Sequence, residues 1–360
     1  MLATAALADG KGGYFIDQID VGDPGPGEVQ VAIKASGVCH TDYKILHRQP
    51  ILIMGHEGAG VVLKTGLGVA DLNIGDRVLL NWAMPCGDCF NCNHGLQNVC
   101  ENKPSVPNER FHYKGKPIGQ SFGLGTMSTA TVVPRAALVR IDVPIPDTSA
   151  CTLGCCVMTG YGSVHNVARV PAESSVAVLG AGAVGLCTIQ AARIAKSAKI
   201  IAIDVNPAKL KMAERFGATG SVLADRNDEG LIEAAKKVRA LTDGRGADFA
   251  FECTSIPALG AAPLAMVRHG GTAVQISGIE EKVKIDMELF EWDKTYINPL
   301  YGKCDPQRDF PVLLNLYAQK QLQLDEMVTG VFRLNELSKA FDAMHKGLNA
   351  KNVLTMNDER

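Results

Sequence analysis

Four of the chain's eleven cysteines fall in the stretch "PCGDCFNCNHGLQNVC", at positions 86, 89, 92 and 100. Two successive C-x2-C steps crowd the sulfurs more tightly than disulfide frameworks do, whereas four thiolates form the closed tetrahedral set that structural zinc prefers. Cys86, Cys89, Cys92 and Cys100 are therefore expected to hold a structural Zn2+. The cysteine total is odd, and the opening "MLATAALADGKGG" has no charged region followed by a sustained apolar run. Reduced thiols and a cytoplasmic location are the expectation.

A second constellation, Gly180, Gly182 and Gly185, spells G-x-G-x-x-G inside "SSVAVLGAGAVGLCTIQAARIAKSA". Its context is an apolar strand, a glycine turn and an Ala-rich helix, followed by a second strand "KIIAIDV". That is where glycines let backbone N–H groups approach a pyrophosphate at a helix N-terminus. Asp204 ends the second strand nineteen residues after Gly185. Its carboxylate can accept from both adenosine ribose hydroxyls and would repel a 2'-phosphate, so NAD is expected rather than NADP. Val184 stands in the same turn and joins the candidate cofactor contacts.

Two shorter clusters, "GVCHTDYK" and "MGHEGAG", carry Cys39, His40, Thr41, Asp42, His56 and Glu57. Each alone reads as ordinary core or polar chemistry. Together with the thiol loop and the nucleotide turn they gain weight.

The elements that must position these groups change character along the chain. Up to about residue 150 the sequence runs in short strand-like pieces, "EVQVAIKASGV", "EGAGVVLKTG", "DRVLLNWA" and "TMSTATVVP", punctuated by Gly and Pro. This is the signature of a barrel-like β domain. From about 157 strands and helices alternate, which predicts a doubly wound parallel sheet. After about 300 helix-like "FPVLLNLYAQKQL" and "LNELSKAFDAMHKG" precede a strand-like "NVLTM". A chain of 360 residues, 46% hydrophobic, suits about two domains. No apolar run approaches the ~20 residues of a membrane span. A net charge of -2 with the two signs interspersed offers no footprint for nucleic acid or an anionic membrane. A small-molecule partner is expected.

The whole set resembles the zinc-dependent alcohol dehydrogenases of the medium-chain dehydrogenase/reductase superfamily. The likeness rests on the Cys-His-Thr-Asp motif, "GHEGAGVV", "IGDRV", the four-cysteine loop, "LGCCVMTGYG", the nucleotide fingerprint and "LNELSKAFDAMHKG". It implies an α/β chain: a GroES-like β-rich catalytic domain over 1–156, a Rossmann doubly wound parallel-sheet coenzyme domain over 157–299, and a C-terminal return to the catalytic domain over 300–360. By resemblance Cys39, His56 and Cys155 hold a catalytic zinc with an open fourth position, Asp42 orients His56, and Glu57 lies behind the metal. It also implies that His40 and Lys351 meet the cofactor pyrophosphate, that Lys209 meets the adenosine ribose, and that Trp82 walls the substrate pocket. Thr41 would take the alcohol proton toward the cofactor ribose. The implied reaction makes an alkoxide on zinc and transfers hydride to nicotinamide C4, interconverting a primary aliphatic, allylic or aryl alcohol and its aldehyde. A homodimer or homotetramer is implied as well.

The chain departs from the family in places. Only sixteen residues separate Cys39 from His56, which shortens a loop on one side of the pocket. Pro104 stands where the glutathione-dependent formaldehyde dehydrogenases usually carry an arginine, so an S-(hydroxymethyl) adduct ranks as the alternative substrate. Lys44 replaces a relay histidine; a lysine ammonium, with an ordinary pKa of ~10.4, does not accept a proton at neutral pH. His47 lies close by in sequence. The rival readings are a non-catalytic zinc-ribbon interaction module, which leaves Cys39 and His56 unexplained, and a zinc-free reductase, which leaves all seven ligands unexplained.

Overall fold

The computed structural model describes residues 1–48, 50–279 and 281–356. The chain divides into two compact units, Met1–Cys155 with Asp305–Arg360, and Cys156–Cys304. The resemblance implies a second domain over 157–299, and the second unit also takes in Cys156 and residues 300–304. Packing explains the later junction. Gly302, at φ +59°, lies so close to Gly162 Cα and the Met158 carbonyl that an added Cβ would come within 2.7 Å of each. The Gly302 carbonyl also accepts from Asn166 Nδ2 at 3.2 Å.

The first unit is β-rich, and its spine is the strand Glu28–Val38. Antiparallel neighbours Gly58–Thr65, Ala130–Pro134 and Lys351–Thr355 pair with it. The C-terminal strand therefore lies in the same sheet as residues 35–38. Val29, Val31 and Ile33 meet a core that also receives Leu337, Ala340 and Phe341. Those three recur at the i, i+3, i+4 spacing of one face of the helix Leu337–His345. Register then does the positioning. Ser36 pairs with Gly58, so Cys39, just past the end of one strand, and His56, just before its partner, emerge at the same end of the sheet.

Cys155 arrives on a helical run that begins at Asp147–Thr152 and widens to π-type turns over Leu153–Val157. Such local widening is a recurrent device for aiming a side chain. Gly154 makes the approach possible, because a Cβ there would stand 2.5 Å from the Leu80 carbonyl of the strand Arg77–Leu80.

The second unit is a six-stranded sheet in the order Gly220–Leu223, Lys199–Asp204, Ser175–Leu179, Ala247–Glu252, Val267–Gln275, Thr295–Ile297. Every neighbouring pair is parallel. Strand order reverses at Ser175–Leu179, which has the second strand on one side and the fourth on the other. Ser175–Leu179 and Lys199–Asp204 are near-continuous apolar runs, as strands covered on both faces require. Phe251, with no exposed surface, contributes roughly 1.5–3 kcal/mol by burial. Among the described residues no helix is long and apolar enough to cross a membrane.

Candidate functional site

The four-cysteine loop closes on itself. Cys86 Sγ and Cys92 Sγ are 3.9 Å apart, as are Cys89 Sγ and Cys100 Sγ, and all four donor atoms lie within 4.8 Å of one another. Thiolates at ~2.3 Å from a tetrahedral zinc stand about 3.8 Å apart, so the cradle has the size of the ion. Backbone N–H groups turn inward on the sulfurs: Cys86 donates to Cys100 Sγ at 3.2 Å, and Cys89 to Cys86 Sγ at 3.4 Å. Cys89 caps the short helix Phe90–Asn93. The Cys92 N–H that its sulfur accepts lowers the Cys89 pKa to about 6. Gly87 and Gly95, at φ +87° and +71°, make the turns that let so short a loop converge.

The second cluster gathers Cys39, His56, Glu57 and Cys155 within 4.8 Å. Cys39 caps the five-residue helix His40–Lys44, and Asp42 serves both the helix and the site. Its Oδ2 accepts from the Cys39 N–H at 3.0 Å, while Oδ1 accepts from His56 Nδ1 at 2.8 Å. That second bond fixes the proton on Nδ1 and presents Nε2 to a metal. Asp42 and Glu57 have no exposed surface, and His56 is 1% exposed.

Electrostatics around these donors are steep. Hydrogen bonding from Cys155 and from His56 outweighs burial and holds the Cys39 thiol well below its usual pKa. The same Cys39 contact, with burial, pushes Cys155 well up. Burial opposes the imidazolium of His56, but Asp42 and Cys39 outweigh it and raise the pKa. A thiolate, a polarised thiol and an oriented imidazole form the two-sulfur, one-nitrogen set of a catalytic zinc with an open position, and the donor chemistry fits that ion.

The Lys351 side chain is buried, and Nζ donates to Glu57 Oε1 at 2.7 Å and to the Val38 carbonyl at 3.1 Å. The physical reason is Glu57: a buried carboxylate, its pKa already raised by desolvation, needs a counter-charge. Gly37 makes room for it, since a Cβ there would lie 2.0 Å from Glu57 Oε2. Thr41 is half-buried, with Oγ1 3.6 Å from Cys39 Sγ. His40, Lys44 and His47 are exposed. The His40 ring stands 5.9 Å from His345, and the His47 ring lies over the Gly12 turn, 2.5 Å from where a Cβ would be.

An aromatic wall grows from the metal cluster. The Phe122 ring packs on His56 at 4.9 Å, and Trp82 meets Phe122 edge-on at 5.5 Å. Lys103 lies over Trp82 at 5.9 Å and donates to the Phe122 carbonyl at 3.4 Å. Sequence reasoning names Trp82 as a pocket wall and does not name Phe122 or Lys103, which pack beside it. The available signal was "SFGLG", in which Phe122, Gly123 and Gly125 all take positive φ.

At the nucleotide turn Gly180 adopts φ +92°, and a Cβ on Gly185 would stand 1.8 Å from the Gly180 carbonyl. A Cβ on Gly182 would meet nothing within 4 Å. Gly182 is also the N-cap of the helix Ala183–Ile194 and gives it no side-chain cap. The turn is thus sterically closed behind and open in front, with helix N–H groups available to a phosphate, and it fits a dinucleotide. Asp204, at the end of its strand, accepts from the Ala181 and Asn206 N–H groups at 2.8 and 2.9 Å. Each carboxylate oxygen keeps acceptor capacity for a ribose hydroxyl. Val184 and Lys209 are half-buried, Lys209 in the first turn of the helix Pro207–Phe216.

Residues 25–147 match the family model "Alcohol dehydrogenase GroES-like domain", and residues 183–319 match "Zinc-binding dehydrogenase". An S-(hydroxymethyl)glutathione dehydrogenase of Escherichia coli is 34% identical over 369 aligned positions, covering 98% of each chain. The chain belongs to the zinc-dependent alcohol dehydrogenases of the medium-chain dehydrogenase/reductase superfamily. A Synechocystis relative of the same name is 33% identical, covering 94% of this chain and 95% of the relative. Among solved structures, an alcohol dehydrogenase zinc-binding domain protein from Burkholderia ambifaria superposes with TM-score 0.91 at 28% identity, covering 99% of each chain. Benzyl alcohol dehydrogenase from Acinetobacter calcoaceticus does so with TM-score 0.90 at 25% identity, covering 99% of this chain and all of that one. The chain is an NAD(P)-dependent oxidoreductase of the zinc alcohol dehydrogenase type, with a GroES-like domain and a doubly wound coenzyme domain.

Proposed function

We propose that this enzyme interconverts free primary alcohols, aryl or allylic ones above all, and their aldehydes with NAD. The observation that carries the reading is the aromatic wall of Phe122 and Trp82 built directly on His56, which suits a flat apolar substituent beside the metal. Cys39, His56 and Cys155 would hold the catalytic zinc, and Cys86, Cys89, Cys92 and Cys100 the structural one. When bound, the catalytic ion supplies a Lewis acid and NAD supplies the hydride acceptor. Asp42 holds His56 in its ligating tautomer. Thr41 takes up the alcohol proton at Oγ1, and the glycine turn with Asp204 seats the adenosine half of the cofactor. The enzyme works in the cytoplasm as a homo-oligomer, for which the sheet edge at Thr295–Ile297, with Leu300 exposed beside it, offers a surface.

The experiment is a panel of aliphatic, allylic and benzylic alcohols, and of formaldehyde with and without glutathione, assayed by NADH formation. Benzylic and allylic alcohols should be turned over without glutathione. The names of the relatives at 33–34% identity favour a second reading, an S-(hydroxymethyl)glutathione substrate. Pro104 weighs against it, and strict dependence on glutathione would establish it. Trp82→Ala should widen the wall, raising kcat/KM for bulky alcohols relative to benzyl alcohol. An unchanged ratio would remove Trp82 from the pocket.

Asp204→Ser should relieve repulsion of a 2'-phosphate and narrow the preference for NAD over NADP. Because Asp204 also braces Ala181 and Asn206, affinity for NAD itself should fall. A native preference for NADP would contradict the role given to this carboxylate.

A further inference from the structure

Glu252 ends the strand next to the fingerprint strand and has no exposed surface. Among the described residues it makes no ion pair with a cation. Its charge is met by neutral donors. Oε1 accepts from the Thr254 N–H and Oγ1, both at 2.5 Å, and from the Ser255 N–H at 3.2 Å. Oε2 accepts from Ser277 Oγ. The Ser255 N–H also reaches Ser277 Oγ at 3.1 Å. One carboxylate therefore ties the loop after its own strand to the loop after the next, Val267–Gln275.

Both loops lie at the carboxyl ends of parallel strands, where doubly wound sheets bind ligands. Thr254 is pressed on the nucleotide turn itself, since a Cβ on Gly180 would stand 2.9 Å from Thr254 Cγ2 and 3.1 Å from the Cys253 carbonyl. Ser255 is held at φ +60°, a conformation that L residues rarely adopt and that needs surrounding bonds to persist. The sheet order gives the side. Asp204, on the adenosine half, ends the strand on one flank of Ser175–Leu179, and Glu252 ends the strand on the other. A dinucleotide lies across that reversal, one half on each flank.

We infer that Glu252 is a positioning residue for the nicotinamide half of NAD, acting through Thr254, Ser255 and Ser277, which it holds in register at the edge of the cofactor crevice. The inference rests on the NAD reading and is independent of which alcohol is oxidised. Glu252→Gln keeps the shape but replaces one acceptor with a donor. Ser277→Ala cuts only the tie between the loops and serves as the test should Glu252→Gln fold poorly.

The measurement is the dissociation constant of NADH by fluorescence titration, beside that of ADP, which carries the adenosine and pyrophosphate without the nicotinamide nucleoside. Both variants should bind NADH about 10-fold or more weakly, the effect of one lost hydrogen bond to a charged group. ADP affinity should change less than about 3-fold, a difference too small for one such bond. A parallel fall for ADP would mean a general loss of structure, and an unchanged NADH constant would mean no role; either overturns the inference. Failure of the wild type to bind NADH or ADP would overturn the NAD reading and this inference together.

Discussion

Cys39→Ala is expected to fold, to retain one zinc per chain and to turn over no alcohol. The substitution removes one of the three proposed ligands and leaves His56 and Cys155, too few to hold the ion in a catalytic geometry. The fold should survive because the cap of the helix His40–Lys44 is made by the Asp42 carboxylate on the Cys39 N–H, which alanine keeps. Cys92→Ala should behave in the opposite way. The loop from Pro85 to Cys100 buries little apolar surface, with Phe90 64% exposed, so its order depends on the metal. Apparent binding energies of structural zinc reach about 10–16 kcal/mol in small zinc domains. The variant should lose the structural ion and a large part of its thermal stability. Metal analysis per chain, beside a thermal scan, separates the two. Equal loss of stability in both variants would contradict separable roles.

Thr41→Ala should lower kcat about 10²- to 10⁴-fold, the range for removing a group that moves a proton in the reaction. Thr41→Ser keeps the hydroxyl and should be tolerated. The geometry supports the difference: Thr41 Oγ1 is 3.6 Å from the thiol of Cys39, a proposed zinc ligand, while Lys44, in the last turn of the same short helix, is exposed. Lys44→Ala should therefore change the rate far less. The comparison is made at saturating NAD so that cofactor affinity does not enter. If Lys44→Ala is as damaging as Thr41→Ala, the proton leaves by a different route.

Residue type and short-range spacing made the chemistry readable in advance. Gly180 and Gly185 are required by contacts within one turn, the 1.8 Å approach of a would-be Cβ to the Gly180 carbonyl among them, and such local sterics leave their mark as a motif. The four thiols are local in the same sense. Cys155 is not: it lies far from Cys39 in the chain, and only the family resemblance brings the two together before the fold is known. What escaped depends on long-range partners. Glu57 and Lys351 are 294 positions apart, so nothing in either neighbourhood announces that the lysine neutralises a buried carboxylate. Phe122 packs on His56 with its backbone at φ +54°, a conformation no aromatic residue prefers. Glu252 reads in sequence as one more strand end; its neutral donors come from two different loops. The junction at residue 305 was blurred because Gly302 belongs with Gly162 through a close backbone approach, which carries no hydrophobic period.

The zinc content of the fully active wild-type enzyme tests the central claim most directly. Two clusters of donors, each within 4.8 Å, predict two zinc ions per chain, one removed with loss of turnover and the other with loss of stability. Full activity with a single zinc per chain would contradict the account.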